Sequence, residues 1–114
     1  MSFALTPDQE KLRARATQFA DEILAPTAAE TDRTEAYPWA NVERMREAGF
    51  LGMMVPKELG GPGHSYLDVC LVIEAVARAC GACARIVVEA NMGAVGAIVA
   101  YGTPAQTKLA ADIV

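Results

Sequence analysis

The tetrapeptide pattern Thr-Pro-x-Gln occurs twice, at Thr6-Pro7-Asp8-Gln9 and at Thr103-Pro104-Ala105-Gln106, and few short patterns constrain a backbone more. Threonine caps a helix, proline suits the first helical position where no N–H is needed, and a glutamine three residues after the cap can return a hydrogen bond to it. Ser65 with Asp68 three residues on gives a third start of the same logic. Between these starts the apolar residues recur with a helical period. Leu12, Ala16, Phe19, Ala20 and Ile23 fall on one side of the first helix, leaving Lys11, Arg13, Arg15 and Asp21 outside. Pro26 is predicted to end that helix, and the polar stretch TAAETDRTEAYP reads as a connection, within which AAETDR can form a further turn.

Pro38 is predicted to open a second helix with Trp39, Val42 and Met45 on one face and Gly49 just past its end. The piece FLGMMVP is expected to be extended or irregular, because Pro56 biases Val55 away from helical backbone. Residues 57–65, KELGGPGHS, form a loop dense in glycine and proline. The helix capped by Ser65 is expected to carry Leu67, Cys70, Leu71, Ile73, Val76 and Ala77 inward until Gly81 interrupts it. A fourth helix runs from about Ala82 to Gly102, and a fifth starts at Thr103 with Leu109 and Ile113 as its inward residues.

Composition agrees with this reading. Hydrophobic residues make up 53% of the 114, yet aromatics only 6%, so the apolar content is mostly small and aliphatic. Close-packed helices use such residues better than a β-sandwich does. One domain is the expectation at this length, and an all-α bundle of four to five helices is the fold class.

A net charge of −4 without a basic block excludes a general nucleic-acid binder or an anionic-lipid binder. Cys80 and Cys83 spell C-x-x-C, but the only other cysteine is Cys70 and the only histidine is His64. A zinc or redox site would need more partners, so these cysteines are expected to be small buried helix residues and no metal site is expected. The glycine-rich loop lacks both the P-loop and the dinucleotide pattern, and its glycines are expected to serve a tight turn. His64 and Ser65 are given loop and capping roles. The first sixteen residues contain no basic residue before Lys11 and no apolar core, so no leader is expected and a cytoplasmic location is the default.

The remaining feature is RIVVEANMGAVGAIVAYG, Arg85 to Gly102. A bilayer span needs about 18 or more residues with few or no charges. Glu89 and Asn91 sit inside a run of only sixteen, from Ile86 to Tyr101, so no membrane span is expected. At 100° per residue Arg85, Glu89, Gly93, Gly96 and Ala100 share one stripe, with Val87, Ala90, Ala94, Ala97, Ile98 and Tyr101 on the apolar side. Two glycines in one stripe, each costing a helix up to about 1 kcal/mol, imply that another body approaches closely, either a neighbouring helix or a ligand.

Several segments together resemble one family. FALTPDQEKLRARATQFADEILAP, then MREAGFLGMMVPKELGG, then the run from Tyr66 to Ile113 with its Gly102-Thr103-x-x-Gln106-x-Lys108 element, are similar in order to the N-terminal helical domain of acyl-CoA dehydrogenases. The resemblance implies that residues 1–114 are that domain alone, and that the middle β-domain and C-terminal helical domain of the family are absent from this chain. It implies an enzyme that introduces an α,β double bond into an acyl-CoA thioester with FAD, bound mainly by the absent domains, and an acceptor such as an electron-transfer flavoprotein. No catalytic residue is expected in this chain, because the family's catalytic glutamate lies in the C-terminal domain. The expected share of this domain is a wall of the acyl pocket, with Arg85, Glu89, Met92, Gly93 and Gly96 as substrate-binding candidates. Glycine at 93 is expected to leave room for a bulky or branched acyl group, so that Gly93→Leu would harm large acyl chains more than short ones. A homo-oligomer, in this family usually a tetramer, is expected of the complete protein. The alternatives are an acyl-CoA oxidase-like or flavin monooxygenase-like relative, or a non-catalytic helical subunit that pairs with a flavin-binding chain.

Overall fold

The computed structural model describes residues 3–114; Met1 and Ser2, on which part of the leader and domain expectations rests, lie outside the described residues. The described residues contain no strand, and their helical runs cover 7–34, 39–47, a single 3-10 turn at 57–59, 66–79, 81–101 with a non-helical joint, and 104–113. The all-α bundle expected from the sequence is what forms.

The three helix starts predicted from a cap and its partner are all capping boxes. Thr6 accepts from the Gln9 amide (3.2 Å) while Gln9 Oε1 accepts from the Thr6 amide (3.0 Å), and helix α1 runs Pro7–Phe19. Ser65 and Asp68 open α4, Tyr66–Ala79, in the same way, and Thr103 and Gln106 open α7, Pro104–Ile113.

Pro26 does not end the first helix. The backbone widens into one π-helical stretch at Ala20–Leu24 and continues as α2, Ala25–Thr34, with Pro26 in its first turn. Proline is disfavoured in a helix interior because it lacks an N–H and clashes with the carbonyl four residues back, and a wider turn followed by a fresh first turn removes both objections. The stretch read as a connection is therefore helical to Thr34, and Glu35 in the left-handed conformation ends it.

Helix α3, Trp39–Glu47, follows Pro38 as expected and buries Val42 and Met45, whereas Trp39 is exposed and packs against Tyr37, ring centroids 4.6 Å apart and planes tilted by 59°. Its carbonyl end is held by Arg15, whose guanidinium donates to Ala48 O and lies 4.6 Å above the Phe50 ring. Phe50 is fully buried, edge-on to Phe19 at 5.2 Å.

Helices α1 and α4 lie side by side with the same direction. Gln9 Nε2 donates to Asp68 Oδ1 at their starts (3.0 Å), and Arg78 pairs with Asp21 towards their ends (2.6 Å). Inward on α4 are Val69, Leu71, Val72, Ala75 and Val76, while Leu67, Cys70 and Ala77 are exposed, a rotation of the face expected from the sequence. At Cys80 the chain turns through extended backbone into α5, Gly81–Glu89, which lies on α4. Cys80 and Cys83 are buried as small core residues.

The apolar run beyond is not one straight helix. After Glu89 the backbone leaves helical geometry through Ala90–Gly93 and resumes as α6, Ala94–Tyr101. Counted through this joint, Gly81–Tyr101 is 21 residues with mean hydropathy 1.5, long and apolar enough by length and composition to cross a membrane. The joint itself argues against a span: a bilayer leaves no water to satisfy non-helical backbone, and here the joint is anchored in the core by Asn91.

Candidate functional site

The joint between α5 and α6 gathers most of the residues singled out from the sequence. Asn91 sits 1% exposed at its centre, and every polar atom of its side chain is used. Its Oδ1 accepts from the Met53 amide (2.7 Å), and its Nδ2 donates to Phe50 O (2.9 Å) and Val87 O (2.8 Å). The asparagine thus staples the joint to the irregular 50–53 segment, which bends because Gly52 takes a positive φ there.

Around this staple, Glu89 pairs with Arg85 one turn earlier on α5 and accepts from the Ala94 amide at the start of α6 (3.2 Å). One carboxylate therefore bridges a cation and the positive end of a helix. The ion pair is solvent-facing, with side-chain exposures of 72% for Arg85 and 42% for Glu89.

Gly93 makes that bridge possible. A Cβ at position 93 would fall 2.1 Å from Glu89 Oε2 and 3.1 Å from Glu89 Cα. The space that a glycine at 93 was expected to leave for a bulky acyl group is thus occupied by Glu89, and the inference of a large substrate loses its premise. At Gly96 an added Cβ would fall 2.7 Å from Asn91 O, so this glycine lets α6 close against the joint.

The expected stripe does not persist across the joint. Arg85, Glu89 and Gly93 do meet, Gly96 moves beside Asn91, and Met92 is half-buried against the core. The other side rotates as well: Val87 is buried, whereas Ala94, Ala97, Ile98 and Tyr101 are exposed. Gly96 helps to line an apolar pocket of about 140 Å³ whose other walls are Met54, Val55 and Tyr66 together with Ala90, Asn91, Val95, Val99 and Ala100. Met54, Val55 and Tyr66 were not among the sequence candidates, because nothing in a period-based reading brings the 50–56 piece or the start of α4 to this joint.

The glycine-rich loop does not offer a cradle for the diphosphate of a flavin dinucleotide. The amides of its glycine-rich part are spent internally, from Gly60 to Lys57 O, Gly61 to Pro56 O, Gly63 to Val55 O and His64 to Met53 O, and Pro62 has none. Gly60 and Gly63 take positive φ, the turn role expected of them. His64 Nδ1 lies 3.4 Å from Asp68, whose carboxyl is held below its usual range. Burial opposes that shift, but hydrogen bonds from the Ser65 backbone, Gln9, the Ser65 hydroxyl and His64 outweigh it. No group of three His, Cys, Asp or Glu side chains positioned for a metal occurs among the described residues.

The acyl-CoA dehydrogenase N-terminal domain matches residues 6–110. The chain belongs to the acyl-CoA dehydrogenase family. A 3-sulfinopropanoyl-CoA desulfinase of Variovorax paradoxus is 58% identical over 112 residues, which is 98% of this chain and 28% of that protein. Three further proteins of that name are 51–55% identical over the same length. The mitochondrial short-chain specific acyl-CoA dehydrogenase of Mus musculus is 36% identical over 94% of this chain and 26% of its own length. Among solved structures, a chain in that of the electron transferring flavoprotein of Acidaminococcus fermentans superposes with a TM-score of 0.87 at 30% identity, covering 99% of this chain and 30% of that one. Butyryl-CoA dehydrogenase of Megasphaera elsdenii superposes at 0.83 with 26% identity, covering 96% and 29%. This chain therefore spans less than a third of the relatives it matches. These members of the family are enzymes, and the family together with the flavoprotein neighbour implies a flavin.

Proposed function

We propose that this chain is the N-terminal part of an enzyme that removes the sulfinate group from a short sulfinoacyl-CoA thioester of the 3-sulfinopropanoyl-CoA type. The observation that carries this reading is the distribution of identity: four desulfinases at 51–58% over nearly the whole chain, against 36% for a dehydrogenase over a similar span. The site adds a chemical reason. A sulfinate is an anion, and Arg85 presents an exposed guanidinium, whose planar fork of donors suits a two-oxygen acceptor. Among the candidate residues Arg85 is the cation, and its proposed role is to seat the acyl terminus.

Desulfination is redox-neutral. The C–S electron pair stays on Cβ and takes up a proton, and the sulfur leaves as sulfur dioxide, which water converts to hydrogensulfite. FAD is the flavin proposed for the complete protein, held mainly by domains beyond this one; bound, it would supply electron-accepting chemistry. The part proposed for this chain is to seat and orient the acyl end and to shield it from water with the apolar residues of the joint.

A second reading, α,β-dehydrogenation of a short uncharged acyl-CoA, is favoured by the identity to the mouse enzyme and the fold shared with butyryl-CoA dehydrogenase. It removes two hydrogens and so requires an acceptor such as an electron-transfer flavoprotein. The two readings separate in one assay of the complete polypeptide. Sulfite released from 3-sulfinopropanoyl-CoA without any acceptor supports desulfination, whereas acceptor reduction with butyryl-CoA and no sulfite overturns it.

A further inference from the structure

We propose that Glu89 is a positioning residue that holds Arg85 in reserve for a charged acyl terminus, and so makes the site discriminate by charge. This rests on the reading of Arg85 as the seat of the substrate anion. Two contacts hold the carboxylate, the Arg85 guanidinium on α5 and the Ala94 amide at the start of α6, and the missing side chain of Gly93 leaves it room. The hold on Ala94 and the room at Gly93 do not depend on Arg85. An anion arriving at Arg85 can therefore displace Glu89 from the guanidinium while the carboxylate keeps its hold on the N-terminus of α6. An uncharged terminus has nothing to exchange, and the pair stays closed.

Glu89 thereby competes with the ligand for Arg85, and exposed ion pairs are weak enough for that competition to be reversible. Its removal is expected to strengthen anion binding modestly rather than to abolish it. A purely structural carboxylate would affect charged and uncharged ligands alike. The charge selectivity of binding is the quantity that tells the two roles apart.

The probes are succinyl-CoA, whose terminal carboxylate stands where a sulfinate would, and butyryl-CoA, of the same chain length without charge. Their Kd values are measured by calorimetry on the complete polypeptide. In R85A the Kd for succinyl-CoA is expected to rise more than tenfold relative to that for butyryl-CoA, on the scale of a lost charge-assisted pair. In E89Q the selectivity for succinyl-CoA over butyryl-CoA is expected to rise about two- to fivefold, the worth of an exposed ion pair. In R85A/E89Q the Glu89 change is expected to add nothing. G93A, which drives a methyl group into the carboxylate, is expected to raise selectivity in the same direction, and it decides the matter should E89Q not fold. If R85A does not change selectivity, the anion seat itself is wrong. If R85A does, but E89Q and G93A leave selectivity unmoved or lower it, the role given to Glu89 is wrong and Arg85 stands.

Discussion

Two buried side chains show how much of this structure rests on single residues. Asn91 satisfies the Met53 amide and the Phe50 and Val87 carbonyls at once, so an apolar replacement of similar size leaves three buried groups without partners. Each such group costs about 1–3 kcal/mol, and Asn91→Leu is expected to destabilise the fold by at least about 3 kcal/mol, read as a lowered urea midpoint. A change below about 1 kcal/mol would mean that the joint relaxes and finds other partners. Cys83 gives a prediction with a pH sign. Burial, then its hydrogen bond and charge coupling with Cys80, push its thiol up to about 12, against a weaker opposing hydrogen bond from Asn41. An unfolded thiol ionises near 8.5, so the unfolded chain loses its proton first. The contribution is fully present below about pH 8.5 and is lost as pH rises towards 12, the loss reaching about 2 kcal/mol by pH 10. Replacing Cys83 with alanine is expected to flatten the fall in stability between pH 8 and 10, measured as melting temperature against pH.

At the level of elements, what could be read from sequence was what closes within a few residues. The three capping boxes formed where their tetrapeptides stand, because cap and partner lie three positions apart. The joint after Glu89 was not legible, since its staple reaches from Asn91 to residues 38 and 41 positions earlier. Pro26 misled for the related reason that a π-helical stretch upstream changes what a proline does to a helix. Of the candidate site, Arg85, Glu89 and Gly93 were brought together because they lie within or just beyond one helix, while the pocket walls Met54, Val55 and Tyr66 come from elsewhere in the fold. The repeated tetrapeptide gives an internal control on this distinction. Gln9 completes its capping box and also donates to Asp68 on α4, whereas the hydrogen bonds of Gln106 are local to its own helix start. Gln9→Ala is therefore expected to cost about 1 kcal/mol more than Gln106→Ala in matched denaturation curves. Asp68 is tied to the same link. Its folded pKa lies below the unfolded value, so its contribution is present above about pH 4 and is lost as pH falls through the folded value. Asp68→Asn is expected to lower stability at pH 7 and to flatten its fall below pH 4, and an unchanged acid limb would show that the link contributes nothing.

For the molecule as a whole, the distribution of apolar surface matters more than its total. The buried core draws on α1, α3, α4 and α5, whereas α6 buries no residue and α7 only Ala110. Between those two helices lies an open apolar groove of about 420 Å³, and around it Ile98, Tyr101, Leu109 and Ile113 are exposed, Tyr101 by 91%. The sequence reading turned Leu109 and Ile113 inward because helical period identifies an apolar face without saying what that face meets. Contiguous exposed apolar surface of this kind drives association in water, and a net charge of −4 opposes it only weakly. The 114-residue chain taken alone is therefore expected to self-associate as its concentration rises, with sedimentation velocity showing a shift to larger species. Tyr101→Glu with Leu109→Glu is expected to return it to a monomer without loss of helical circular dichroism, since neither side chain contributes to the core. Association that persists unchanged in this double variant would place the sticky surface elsewhere, with the exposed Tyr37–Trp39 pair the next to be replaced.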